Sequence, residues 1–214
     1  MDQLTHIVAQ IVQGAAGVTV TVVSAQDSGV TGTYLIKRSN LKALGLTEGA
    51  EITEETVSLL ADEADLCRAE ARTVRILSYS DHSELALMRK LASYGFPEHI
   101  AKRAAENAVE SGLIREDEQA ARCVDYFIRH KYWGKKRIAM ELVSRGYRRE
   151  AINAAIEETD PETFVGTAAK LIEKKYPTFP ATGEEKAKMI SALSRMGYTI
   201  SEVSAAMRKV YEGE

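Results

Sequence analysis

The chain is poor in the residues that build cross-links and reactive centres. Its 214 residues hold two cysteines, Cys67 and Cys123, and four dispersed histidines, His6, His82, His99 and His130. Two cysteines so far apart form neither a disulfide framework nor a zinc-ligand spacing. Each reads as a small apolar residue on a helix, and the chain is compatible with a reducing cytosol. No apolar stretch approaches the roughly 20 residues that cross a bilayer. The opening Met1-Asp2-Gln3 lacks the basic start and apolar run of a secretory signal. The expectation is a soluble cytoplasmic protein. No phosphate loop, dinucleotide glycine pattern or His-Glu-x-x-His stretch occurs. Carboxylates lie at surface spacings, and Glu116-Asp117-Glu118 reads as a solvated helix start. His82 reads as a solvated or capping residue at another. The sequence therefore offers no catalytic residue, no metal site and no cofactor, and the chain is expected not to be an enzyme.

What the chain does have is unevenly placed charge. The net charge is -3, yet residues 1–66 carry three basic against nine acidic residues, and residues 67–214 carry 25 against 22. The excess is concentrated in residues 122–149, where nine basic residues meet only Asp125 and Glu141. The nine are Arg122, Arg129, Lys131, Lys135, Lys136, Arg137, Arg145, Arg148 and Arg149. A local excess of this size attracts polyanions or an acidic protein face.

Composition also breaks near residue 55. Before it, "VTVTVV" (18–23) and "TGTYLIK" (31–37) are short β-branched runs around the turn cluster "SAQDSG". They predict a hairpin, which alone is marginal and must pack on a third strand or on helices. Residues 1–13 read as a short helix or a strand, and "LGLTEGAEIT" (44–53) as a loop. After residue 54 the period is 3.6. Residues 54–80 form an amphipathic stretch of one helix or two, with Leu59, Leu60, Leu66, Val74 and Leu77 as its apolar positions.

Beyond this stretch the sequence repeats. Leu91, Leu142 and Leu193 are 51 residues apart, as are Gly95, Gly146 and Gly197, then Phe96, Tyr147 and Tyr198. Leu87, Ile138 and Met189 keep the same spacing one turn upstream. Leu-x-x-x-Gly-aromatic suits a helix stop in which a left-handed glycine ends the helix and the next side chain touches the leucine. Asp81-x-x-Glu84 and Thr182-x-x-Glu185 have capping-box spacing, and Pro97 fits a first helical turn. Each unit reads as three helices with a clasp after the second. The expected fold is mainly α: three tandem three-helix repeats in an elongated curved array, with a small N-terminal β-hairpin region. The predicted domains are 1–55 (β-containing), 56–113 (linking helix and repeat 1), 114–160 (repeat 2, basic) and 161–214 (repeat 3).

These phrases resemble the RecX family, regulators of the RecA recombinase. "HSELALMRKLASYGF" (82–96) is similar to the family's first-unit phrase at His82, Ser83, Leu87, Lys90, Leu91, Gly95 and Phe96. "WGKKRIAMELVSRGY" (133–147) is similar to the second-unit phrase at Gly134, Arg137, Ile138, Glu141, Leu142 and Gly146. "KAKMISALSRMGY" (186–198) resembles the third-unit ending. The resemblance covers residues 68–212. It departs at Ala86, where the family has Glu, at Arg115-Glu116, where it has Asp-Asp, at Gln119, where it has Phe, and at Tyr79-Ser80, where it has basic residues.

The resemblance implies a non-enzymatic modulator that binds the RecA–DNA filament along its groove. It would restrain ATPase, strand exchange and coprotease activity in DNA repair and the SOS response. Arg129, Lys131, Lys135, Lys136, Arg137, Arg145, Arg148 and Arg149 are the candidate partner- or phosphate-binding residues. Tyr132 and Trp133, the single tryptophan, are candidates for stacking on exposed bases or for anchoring the core. Single- or double-stranded DNA is an expected weak partner, without sequence preference; no membrane partner is expected. A second reading is a helix-turn-helix transcriptional regulator.

Overall fold

The computed structural model describes residues 4–178, 180 and 182–212. Residues 1–3 of the opening segment, 179 and 181 of the connection before the last two helices, and 213–214 of the predicted third domain lie outside the described residues. The chain divides into two units. One comprises residues up to Ser80 with Leu87–Leu113, the other Asp81–Ala86 with residues from Ile114 onward.

In the first unit, strands β1 (Leu4–Gly14), β2 (Gly17–Ser24), β3 (Val30–Ile36) and β4 (Glu51–Thr53) form an antiparallel sheet in the order β3-β2-β1-β4. The predicted hairpin is β2–β3. Val18, Val20 and Val22 alternate onto one face, fully buried with Val8 and Ile36. The opening segment resolves as a strand. Its apolar positions Ile7, Val8, Ile11 and Val12 fit a helical stripe, but β1 carries a bulge between Val8 and Gln10 that shifts its alternation. The loop reading of 44–53 is corrected at its end, where β4 pairs with β1. A short helix α1 (Arg38–Ala43), with no buried residue, precedes it.

Helix α2 (Glu54–Leu77) is a single helix started by Thr53, whose hydroxyl accepts the Thr56 N–H. Its buried stripe runs through Val57, Leu60, Leu66, Ala69, Thr73 and Ile76. Leu59 and Val74, read as stripe residues, are instead 46% and 56% exposed. Helix α4 (Glu98–Glu110) packs on α2 through Ala101, Ala104, Ala105 and Ala108, whose small side chains permit close approach.

Helix α3 (Glu84–Ser93) precedes α4. The second unit holds α5 (Glu116–Tyr126), a π-helical turn (Phe127–Lys131), α6 (Lys135–Ser144), α7 (Arg149–Glu157), α8 (Pro161–Lys175), α9 (Gly183–Arg195) and α10 (Ile200–Tyr211). Its core includes Phe127, Ile138, Leu142, Phe164, Met189, Leu193 and Tyr198. α5 packs on α7 and α8 on α10, as α2 does on α4.

The helix stops take the geometry read from the spacing. Gly95, Gly146 and Gly197 have φ of 90°, 82° and 95°. The amides of Phe96, Tyr147 and Tyr198 donate to the carbonyls of Leu91, Leu142 and Leu193 at 3.4, 3.1 and 3.2 Å. The three glycine amides donate to Ala92, Val143 and Ser194. This is the two-bond Schellman pattern, three times over.

Helix starts need two corrections. Asp81 does not cap α3: it pairs with Arg122 at 2.7 Å, and Ser83 Oγ accepts the Ala86 N–H instead. Pro97 sits one residue before α4, with extended backbone. Thr182 and Glu185 do form a capping box, and so do Thr199 and Glu202.

Two clasps also serve as seats. Ser83 Oγ donates to the Arg145 carbonyl at 2.8 Å. Fifty-one residues on, Gly134 N–H donates to the Met196 carbonyl at 2.8 Å and Lys136 N–H to Gly197 at 3.2 Å. In each case the start of one clasp-ended helix rests on the clasp of another: α3 on that of α6, and α6 on that of α9. Positive helix starts thus meet unpaired C-terminal carbonyls. The approach is close: a Cβ on Gly197 would lie 2.4 Å from Arg137 N and 2.7 Å from Gly134 O.

Candidate partner interface

The basic segment is built around a π-helical turn. Tyr132 ends it with φ of 54°, and its carbonyl accepts the buried Tyr198 hydroxyl at 3.0 Å. Burial holds that hydroxyl above its ordinary value of 10.0. The turn brings Trp133 back over Phe127, the rings stacked with centroids 4.7 Å apart. Arg137 Cζ lies 4.5 Å over the Trp133 ring, and Arg145 Cζ 5.0 Å over the buried Phe127 ring. Both arginines project from one side of α6, two turns apart, and bracket the aromatic pair. Phe127 and Arg137 thus both lie against the Trp133 ring, which is half-buried. Tyr132 is half-buried, and its backbone carbonyl is tied to Tyr198.

The balance of charge differs from the count along the sequence, because acids come in from other segments. Arg122 pairs with Asp81, and its NH1 lies 3.9 Å from Glu118. Arg129 pairs with Asp125 at 2.6 Å and Arg145 with Glu141 at 2.9 Å. Lys135 lies 3.8 Å from Glu202 and 5.0 Å over the Phe164 ring. Arg148 is held by Glu116 at 3.2 Å. Arg137 donates to the Arg195 carbonyl at 3.3 Å. Among the described residues, Lys131, Lys136, Arg137 and Arg149 have no acidic partner.

Glu116 is the residue that sequence reasoning missed. It is 3% exposed, unlike its exposed neighbours Asp117 and Glu118, and so is not a solvated helix start. Oε1 accepts the Glu84 N–H at 2.9 Å; Oε2 accepts Arg148 N–H at 3.0 Å and Arg148 Nε–H at 3.2 Å. One carboxylate therefore joins the starts of three helices, α3, α5 and α7. Its signal was the helical stripe it shares with the buried Ala120 and Val124.

Two of the free cations flank an exposed apolar patch. Lys136, Met140 and Val143 share one face of α6 at i, i+4 and i+7. Met140 is 73% and Val143 48% exposed. They line an open groove of about 500 Å³ with Ala139, Ile152 and Arg149, between α6 and α7. Among the described residues no cluster of three His, Cys, Asp or Glu side chains could hold a metal ion, and no helix is long and apolar enough to cross a membrane.

No family model matches the chain. Curated relatives do. Regulatory protein RecX of Clostridioides difficile is 29% identical over 167 residues, covering 77% of this chain and 78% of the relative. That of Pseudomonas fluorescens is 31% identical over 130 residues, covering 60% and 83%. A crystal structure of regulatory protein RecX matches with TM-score 0.73 at 21% identity, over 98% of this chain and all of that one. RecX from Lactobacillus salivarius matches with TM-score 0.62 at 16% identity, over 68% and 96%. The first of these structures matches the fold over nearly the whole chain and the second over about two thirds of it, and the identity and coverage of the curated relatives settle the rest: the chain belongs to the RecX family of regulatory proteins.

Proposed function

We propose that this chain regulates a RecA recombinase by binding along the RecA–DNA filament, and that it restrains ATPase, strand exchange and coprotease activity. The helices after residue 56 act as three tandem three-helix repeats, with the middle one supplying the main contact. The observation that carries this reading is the face of α6 and α7. There Lys136 and Arg149, which have no acidic partner among the described residues, flank the exposed Met140 and Val143. An apolar patch with unpaired charge at its rim has the make-up of a protein-contact surface. Lys131 and Arg137 extend the positive field, and DNA is met weakly through phosphates, without base readout. The helix-turn-helix reading has less behind it for α3 and α6. A recognition helix enters the groove by its start, and the starts of α3 and α6 are buried at Ser83 and Gly134 against the next clasps.

The test is RecA ATPase and strand exchange on single-stranded DNA, with and without the full chain. Inhibition at a near-stoichiometric ratio is expected. No effect at that ratio refutes the proposal.

A further inference from the structure

Three clasps share one backbone geometry, but only two are occupied. At Gly146 a Cβ would meet Ser83 Oγ at 3.0 Å and Leu85 Cβ at 3.1 Å; at Gly197 it would meet Arg137 N at 2.4 Å. At Gly95, with φ of 90°, there is nothing within 4 Å. The carbonyls that receive the docking donors belong to Arg145 and Met196. Their counterpart 51 residues earlier is the Tyr94 carbonyl, which accepts no hydrogen bond among the described residues. Tyr94 is 48% exposed. The end of α3 is thus a formed seat without an occupant.

The two filled seats define what fits. Each takes a helix start with a small residue at its N-cap, Ser83 or Gly134, which donates an O–H or N–H to the clasp carbonyl. The first turns differ with the seat: Gly134 is followed by Lys135 and Lys136 and meets the Met196 carbonyl, whereas Ser83 is followed by the acidic Glu84 and meets the carbonyl of an arginine, Arg145. The open seat repeats that charge. Arg72 Cζ lies 4.3 Å and Lys90 Nζ 5.9 Å from the Tyr94 ring centroid, and neither has an acidic partner among the described residues. The one middle-helix start left over in the chain, that of α9, is closed by its own capping box, with Thr182 N–H bonded to Glu185.

We propose that the clasp at Tyr94–Phe96 is a docking seat for a partner's helix N-terminus with a small N-cap residue and an acidic first turn. We assign that helix to the recombinase, and this assignment rests on the function proposed above. The seat continues onto the partner the joint already made twice within the chain.

Gly95→Asn tests it. Asn tolerates left-handed backbone and meets open space in the free chain. Its Cβ would overlap an incoming helix start, as at the two filled seats. We expect a small fall in melting temperature, because a side chain at φ of 90° is strained even in open space, and a half-inhibitory concentration against RecA ATPase raised about tenfold, the scale of one missing joint. Lys90→Glu, which leaves the clasp glycine in place and reverses the charge beside Tyr94, is expected to act in the same direction. If the unmodified chain inhibits and both variants inhibit equally well, the seat is overturned and the proposed function stands. If the unmodified chain is inert, both fall. Sedimentation of the chain alone adds a separate check. Concentration-dependent self-association abolished by Gly95→Asn would make the occupant a second copy and overturn the assignment to the recombinase.

Discussion

Glu116 shows how one side chain can decide local structure. A buried carboxylate is costly unless its oxygens are satisfied, and here three N–H donors from two other helix starts satisfy them. Glu116→Ala strands the Glu84 and Arg148 amides, and a loss of about 2–4 kcal/mol is expected by urea denaturation. Glu116→Gln retains an acceptor and should cost about 1–2 kcal/mol. Equal, near-zero losses would show that the junction does not depend on it. Tyr198 gives a prediction with a pH signature. Burial raises its folded value above the 10.0 of an ordinary tyrosine, so above that pH the unfolded chain sheds a proton that the folded chain keeps. Stability is then fully present below about pH 10 and falls as pH rises further. Tyr198→Phe removes the bond to the Tyr132 carbonyl, costing about 1 kcal/mol at pH 8. It should also flatten the alkaline fall in the urea midpoint relative to the unmodified chain. At this scale the sequence was readable where a residue's role is local, as at Gly146 and Tyr147. It was opaque where the partner is remote: nothing near Glu116 in the chain names Arg148.

At the scale of elements, the clasp was legible because its residues are contiguous and its geometry demands glycine. The extended stretch from Glu54 and the β2–β3 hairpin were legible by period. Strand β1 was ambiguous because a bulge breaks its alternation, and α1 and β4 are too short to carry a period. What spacing could not show is that a clasp is also a seat. That adds a second demand on the same glycines, and it ranks them. Gly197→Ala adds a Cβ against Arg137 N and Gly134 O, and Gly134→Ala one at 2.5 Å from the Gly197 carbonyl carbon. Each should cost about 3 kcal/mol or more, since backbone rather than a flexible side chain must give way. Gly146→Ala meets Ser83 Oγ and Leu85 Cβ near 3 Å and should fall between. Gly95→Ala carries only the left-handed penalty of about 1–2 kcal/mol. Urea midpoints of the four variants should follow that order. A flat series would show that the glycines serve turn geometry alone.

For the whole molecule, the candidate site was half-visible. The nine bases of residues 122–149 pointed to the segment that carries the proposed surface, but the weighing against two acids was local. Asp81, Glu116, Glu118 and Glu202 arrive from outside it and tie down Arg122, Lys135 and Arg148. The apolar half of the surface, Met140 and Val143, was invisible because exposure is not written in spacing. These corrections sharpen what mutagenesis should find. Exposed ion pairs contribute little to stability, and both partners stay solvated, so a paired arginine offers a partner less net field than a free one. Lys136→Glu with Arg149→Glu should therefore raise the half-inhibitory concentration against the RecA filament about tenfold or more, with no change in melting temperature. Arg122→Glu, which faces Asp81 and Glu118, should lower stability slightly and leave inhibition near that of the unmodified chain. Salt separates the two components of the surface. If the free cations meet phosphate, the charge reversal should reduce the slope of log affinity against log salt by about one for each phosphate no longer neutralised. Met140→Ala should weaken binding at every salt concentration and leave the slope alone, because burial of apolar area is not screened. Should the double reversal and Met140→Ala both inhibit like the unmodified chain, the binding face lies elsewhere on the molecule, and the positive segment is a solvated face.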